Sequence, residues 1–497
     1  MATIDKALPN VTRTKIEIPS PKQKAQEIQL PKEPPKQPIE MTPTEDGGME
    51  IDFDPASMAI QTGAASDPNA NLAEFLEEDV LDPIGADLID AFEDYKSSRD
   101  DWEQSYLKGL DLLGFKYEDR TEPFQGASGA THPVLAEAVT QFQSLAYKEL
   151  LPADGPVRTR VMGKPSKVKT DQAERVKEFM NYQLMVEMKE YEPEFDQMLF
   201  NLPLAGSAFK KVYYDFNLGR CVSKFVPAED LIVPYSANSL EEADTIMHVV
   251  KMPANEMRKM QVSGFYLDTE LGSPAYTEDD IKEGKADLEG TSGSSKDEVY
   301  TLIECHTELD LDGFQDMNPQ TGEPTEIKLP YVVTVDEGTG KVLSIRRNFD
   351  AQDPTRQRKD YFVHFKFLPG LGFYGFGLIH MIGGLSRTAT AALRQLLDAG
   401  TLSNLPAGFK MRGIRVRDEA QPLQPGEFRD VDAPGGTLQG AFQMLPYKGP
   451  DQTLLQLMGV VVQAGQRFAS IADMQVGDGN QSAAVGTTVA LLERGSR

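Results

Sequence analysis

Between Leu72 and Leu110 the apolar residues Leu81, Ile84, Leu88, Ile89 and Phe92 recur at intervals of one to four, and acidic residues fill many positions between them. That pattern predicts a helix with one dry face and one face of solvated carboxylates. A second helix is predicted from Thr131, His132 and Pro133 through VLAEAVTQFQSLAYKELL to Pro152, because proline suits a first turn and also follows an end. A third begins at Asp171 with DQAERVKEFMNYQLMVEM. From Ala208 the period changes to two, so FKKVYYDF, RCVSKFVPAEDLIVPY and ADTIMHVVKM read as short strands with turn residues between them. ADLEGTSGSSKDE, Ala286 to Glu298, reads as a flexible connector. Beyond it VYTLIECHTELDL, YVVTVDEGTGKVLSIRR and DYFVHFKFL predict an antiparallel meander.

The longest helical pattern follows a glycine-rich lead: FYGFGLIHMIGGLSRTATAALRQLLDAGTLSN, Phe373 to Asn404. Leu378, Ile382, Leu385, Ala389, Leu393 and Leu396 keep to one face. Arg387, Ala391, Arg394 and Asp398 form a row on another, with Arg394 and Asp398 at the i,i+4 pairing distance. Gly383 and Gly384 allow a neighbour to pack very closely. Both faces therefore read as contact surfaces. Leu405 to Pro450 reads as a compact strand-and-turn insert, after which Asp451 caps a second helix, Leu454 to Ala472. The order is helix, β-rich insert, helix, then the glycine-rich loop Met474 to Gly486 and a further helix from Thr487. The predicted class is α+β.

Composition narrows the functions. Residues 1–71 are rich in Pro, Lys, Glu and Gln and predict a disordered arm that does not read as a secretory leader. At 497 residues there is material for roughly three domains of ~150 residues. A formal net charge of −27 argues against a protein that clamps nucleic acid by neutralising phosphates. Cys221 and Cys305 cannot make a disulfide framework and lack zinc spacing. Leu454 to Ala472 approaches the length of a membrane span, but Gln456, Gln463, Gln466 and Arg467 make it a packed helix.

No motif assigns an enzyme class, a metal or a cofactor. DEGTGKV, Asp336 to Val342, lacks the glycine and the Ser or Thr of a phosphate-binding loop and reads as a hairpin turn. Ser128 in FQGASGATHP lacks a nucleophile elbow because Ala130 stands where glycine is needed. His132, His248, His306, His364 and His380 are scattered; Cys305 and His306 adjoin, and on a strand they point to opposite faces.

This order of segments resembles the portal, or head-to-tail connector, proteins of tailed double-stranded DNA bacteriophages, particularly the short-tailed type, over about Leu72 to Arg497. THPVLAEAVTQFQSLAYKELLP resembles the early wing helix, PAEDLIVPYSANSLEEADTIMHVVKM the wing strands, and GFYGFGLIHMIGGLSRTATAALRQLLDA the first stem helix. The resemblance implies an α+β subunit: a mixed wing over 72–370, a first stem helix over 371–404, a β-rich clip over 405–450, a second stem helix over 451–473, a tunnel loop over 474–486 and the start of a crown helix over 487–497. The family's pattern continues into a crown, whereas this chain stops at Arg497.

The implied function is a ring of about twelve copies at one capsid vertex, assembled in the host cytoplasm, through which the genome is packaged and ejected. Implied partners are terminase, tail adaptors, major capsid and scaffolding proteins, and genomic DNA in transit. Gly477, Asp478, Gly479, Asn480, Gln481 and Ser482 would face DNA. Gly383, Gly384, Arg387, Arg394 and Asp398 would make stem contacts, and Lys410, Arg412, Arg415, Arg417 and Arg429 would dock the motor at the clip. The competing readings are a structural adaptor without a channel and a hydrolase that uses carboxylates of the 72–370 region.

Overall fold

The computed structural model describes residues 41–43, 49–51 and 67–468, apart from 165, 216–217, 275–278, 292–297, 318–323, 351–352, 354, 405–407, 411–414, 417–430 and 433–441. Two units separate, Met1–Asp54 and Pro55–Arg497. In the first, β1 (Met41–Pro43) pairs antiparallel with β2 (Met49–Ile51). The arm expected over 1–71 thus contains a short hairpin, whose sequence signal is the Asp46-Gly47 dipeptide between the strands.

In the second unit the chain is docked from Asp67 onward, earlier than the expected boundary at Asn71. Asn71 donates from Nδ2 to the Leu343 carbonyl at 3.2 Å and accepts from the Ile345 amide at 3.0 Å. Arg347 reaches the Asp67 carbonyl at 3.0 Å. Asn71 thereby does the work of a strand partner for backbone groups that would otherwise be orphaned.

The helices and strands follow in chain order. α1 (Glu78–Ser97), α2 (Asp100–Leu110), α3 (Val134–Leu150), α4 (Lys167–Tyr182) and α5 (Tyr191–Ala205) come first. Next are β3 (Ser207–Asp215), β4 (Arg220–Pro227), β5 (Leu231–Ile232), β6 (Ile246–Pro253), α6 (Ala254–Val262) and α7 (Asp280–Glu289). β7 (Val299–Leu309), β8 (Leu329–Asp336), β9 (Val342–Arg347) and β10 (Phe362–Lys366) complete this part. The class is α+β with antiparallel sheets.

Several expectations need correction. The helix expected from Asp171 starts at Lys167, because Ser166 caps it by accepting from the Lys169 amide, and it runs on as a π-helical turn over Gln183–Glu187. The connector expected over Ala286 to Glu298 begins inside α7. Of the segments expected to form the meander, β7, β8 and β9 do so, and β5 and β6 extend it. β10 leaves it and pairs with β3, giving one sheet ordered β5-β6-β7-β8-β9 and another ordered β10-β3-β4. Its five residues register against Ser207 to Lys211, with Phe362 buried between the two sheets' contacts. That crossover is a burial preference, which local alternation cannot express.

The hairpin reading of DEGTGKV holds. Asp336 accepts through Oδ2 from the Thr339 amide at 3.0 Å and its hydroxyl at 2.7 Å, and Gly340 takes φ 68°. α1 lies on this sheet through Leu81, Leu88 and Phe92, as its period required. A second core joins α2, α3 and β3 through Tyr106, Leu110, Leu135, Val139 and Phe209. No helix among the described residues is long and apolar enough to cross a membrane.

Strand alternation sends Cys305 into the core under α1 and His306 to the opposite side, beside Tyr361 and Phe362. There Lys211 Nζ lies 2.6 Å from both carboxylate oxygens of Glu304, and His306 Nε2 lies 2.7 Å from one of them. Burial alone would raise the Glu304 carboxyl, but Lys211 and the His306 hydrogen bond hold it well below the usual carboxylate range. Burial pushes His248 and His364 down to about 3, with Lys211 and Lys366 respectively adding to the effect.

Both imidazoles stay neutral in the folded protein while the unfolded chain takes up their protons below about pH 6.5. Their contribution is fully present above that pH and is lost as pH falls toward 3, each at up to ~1.4 kcal/mol per pH unit. Glu304 adds to the loss only below the ordinary carboxylate pKa. Denaturant unfolding between pH 7 and pH 5 should therefore show stability falling with acid, and His364→Phe should flatten that slope by about one proton. An unchanged slope would remove His364 from the account.

Candidate functional site

The glycine-rich lead explains how the longest helix is placed. α8 spans Leu378–Asn404 and starts where three glycine backbones meet. A Cβ on Gly377 would lie 2.3 Å from the Leu204 carbonyl oxygen, and one on Gly375 would lie 2.5 Å from that of Gly206. Only hydrogen fits at such a crossing. His380 accepts from the Gly377 amide at 3.1 Å, which closes the first turn.

From the same lead, Tyr374 hydrogen-bonds the Leu231 carbonyl at 3.1 Å and receives Arg99 at 2.8 Å. Arg99, buried at the head of α2, also donates to the carbonyls of Ala228, Glu229 and Leu231 at 2.5 to 3.1 Å and to Glu103 at 2.7 Å.

Along α8 the apolar row behaves as its period predicts: Leu378, Ile382 and Ala389 are buried, while Leu385, Leu393 and Leu396 are half-buried. The second row does not form the expected Arg394–Asp398 pair. Arg394 donates instead to the Ala130 carbonyl from Nε at 2.9 Å, and from one terminal nitrogen to Glu118 at 2.9 Å and Thr131 at 3.2 Å. Asp398 accepts from the Ser128 amide at 2.7 Å. A buried carboxylate gains more from a fixed backbone amide than from a side chain that must be ordered to reach it.

Ser128 thus belongs to a loop strapped onto α8. Its glycine neighbour is obligatory there, since a Cβ on Gly129 would sit 1.7 Å from the Glu118 carbonyl oxygen. Glu118 and Ser128 could not be found from periodicity, because their partners lie more than 260 residues away.

Between this strap, α2 and α8 lies an open groove of about 1070 Å³, bordered by Lys108, Arg120, His380, Gly384, Arg387 and Gln395 among others. Of the two candidate glycines, Gly383 is buried and faces Leu112, whereas Gly384 is exposed and a Cβ there meets nothing within 4 Å. Arg387 is exposed on the same wall.

After α8 come β11 (Gly408–Lys410), β12 (Arg415–Val416), β13 (Val431–Asp432) and β14 (Phe442–Met444), then α9 (Gln452–Phe468). β11 pairs with β14 and β12 with β13, one hairpin nested within the other, and α9 returns along α8. Asp451 caps α9 as expected, accepting from the Thr453 amide at 2.8 Å. Leu455, Leu457 and Val460 remain exposed on α9.

Lys410 and Arg415 fall on β11 and β12. Arg412, Arg417, Arg429 and the loop Gly477, Asp478, Gly479, Asn480, Gln481 and Ser482 lie outside the described residues. Among the described residues no group of three or more His, Cys, Asp and Glu is placed to hold a metal ion.

Arg394→Ala should free the strap. Hydrogen exchange over residues 118–131 should quicken, with a stability loss of roughly 1–3 kcal/mol from the unpaired Ala130 carbonyl and Glu118. Unchanged exchange there would show that Arg394 does not hold the loop. No protein-family model matches this chain, and no curated protein matches its sequence.

Proposed function

We propose that the chain is a portal subunit: about twelve copies form a ring around a channel for double-stranded DNA, with the motor and the tail docking at the strand insert. The observation that carries the reading is the hairpin of α8 and α9 with nested strands at its tip, flanked on α8 by an open groove. A helix whose apolar row is already packed at home, and whose other row borders a groove, suits side-by-side repetition around an axis. The exposed Leu455, Leu457 and Val460 of α9 supply further apolar surface that a neighbour would cover. A ring of such chains carries on the order of −300 formal charges, a field that keeps a passing phosphate backbone from sticking.

Negative-stain images and mass measurements of the purified chain test this reading. Rings with a central hole are expected, and a monomer or dimer at every concentration would overturn it. Gly384→Leu refines the test, because its side chain enters the groove without touching the subunit's own core. The variant should keep its thermal midpoint, with a stability change within about 0.5 kcal/mol, and should fail to assemble. Normal rings from this variant would remove the groove from the interface.

A further inference from the structure

α4 is anomalous among the long helices because none of its sixteen residues is buried. Its inner side is tied down by polar contacts: Asn181 exchanges hydrogen bonds with the backbone of Val157, and Thr159 donates to the Ala173 carbonyl. Its outer side carries Val168, Phe179 and Tyr182 within one stripe, and the π-helical turn that follows adds Val186, all at least half exposed. The segment leading into α4 bears Arg158, Arg160 and Lys164 and its first turn bears Lys167 and Lys169, with no acidic residue from Pro156 to Thr170. All five cations are exposed, and among the described residues none makes an ion pair. On a chain of net charge −27 this is a local reversal of sign next to an apolar ridge.

The complementary surface is the outer face of α1. Asp79, Asp82, Asp87, Asp90, Glu93 and Asp94 project from the side opposite Leu81, Leu88 and Phe92, all exposed. None of the six makes an ion pair among the described residues. Exposed Pro83 and Ala86 leave a shallow apolar strip between those carboxylates. An apolar ridge with cations at its N-terminal end thus meets a strip of small residues flanked by carboxylates, while further along α4 the charges are mixed, with Asp171, Glu174 and Glu178 beside Arg175 and Lys177.

We infer that the α4 ridge and the 158–169 cations of one copy dock on the outer face of α1 of the next copy. This rests on the ring reading and assigns it a contact remote from α8. Two different surfaces meet, so the contact is head-to-tail, the kind that closes into a ring. The alternative ligands of a basic apolar ridge are nucleic acid and anionic lipid. Both would have to approach a strongly acidic protein, whereas a second copy supplies its carboxylates already in place.

The experiment uses the full chain in two charge-reversed forms. The first carries Arg158→Glu, Arg160→Glu, Lys164→Glu, Lys167→Glu and Lys169→Glu; the second carries Asp79→Lys, Asp82→Lys, Asp87→Lys and Asp90→Lys. Each alone should need roughly tenfold or more protein to assemble, as read by sedimentation. The two mixed in equal amounts should assemble again, because each variant's ridge now suits only the other's α1. Phe179→Ser, which alters no charge, should weaken assembly at both low and high salt.

Assembly of both reversed forms at the wild-type concentration would overturn this contact and leave the ring standing. A wild-type chain that never assembles would overturn both. Unchanged assembly together with lost binding to duplex DNA or to phosphatidylserine vesicles would give the ridge to that ligand instead.

Discussion

One guanidinium ties the second unit together. Arg99 sits where α1 ends and α2 begins, and its donors go to the β4–β5 corner and to Tyr374 on the approach to α8. Three segments far apart in sequence therefore share one buried cation, and each supplies oxygen to it. Trp102 and Tyr374 stack with ring centroids 4.8 Å apart, closing the apolar side of the same junction. Without Arg99 the Ala228 and Glu229 carbonyls would lose the guanidinium that reaches them, and Leu231 would keep only the Tyr374 hydroxyl, so the placement of α8 depends on a residue with no role in its own helical pattern.

Much of the architecture was legible because it is periodic. α1 shows this most clearly: Leu81, Leu88 and Phe92 are buried and the carboxylates between them are wet. The α8 apolar row, the Asp451 cap and the Asp336 hairpin were equally readable, since each is decided by residues within a few positions of one another. α5 was not among the expected helices, and it contains Pro193 and Pro203, residues that weaken a helical pattern in the sequence but fall near its two ends. The exit of β10 to the other sheet was invisible for a different reason: its alternation suits either neighbour, and only the shared burial of Phe362 and Phe209 decides.

The groove shows the same division. Its α8 wall was in the sequence as a row of Arg387, Arg394 and Asp398. What those residues do was not, because i,i+4 spacing offers Arg394 a partner on its own helix while the fold offers it a carbonyl and a carboxylate at fixed positions. A spacing rule describes what is possible on an isolated helix. The strap from Glu118 to Thr131 changes the competition, and the pair is dissolved in favour of two separate anchors.

The glycines ahead of α8 have a mechanical meaning opposite to their usual one. Gly206, Gly375 and Gly377 are commonly residues of a pivot, yet here backbone is pressed against backbone, with no side chain between to bend or slide. Such a joint is stiff. A tilt or thrust applied to α8 must carry the end of α5 and the start of β3 with it, and through β10 the whole three-stranded sheet. The long helix is therefore less a spring than a lever welded to its base.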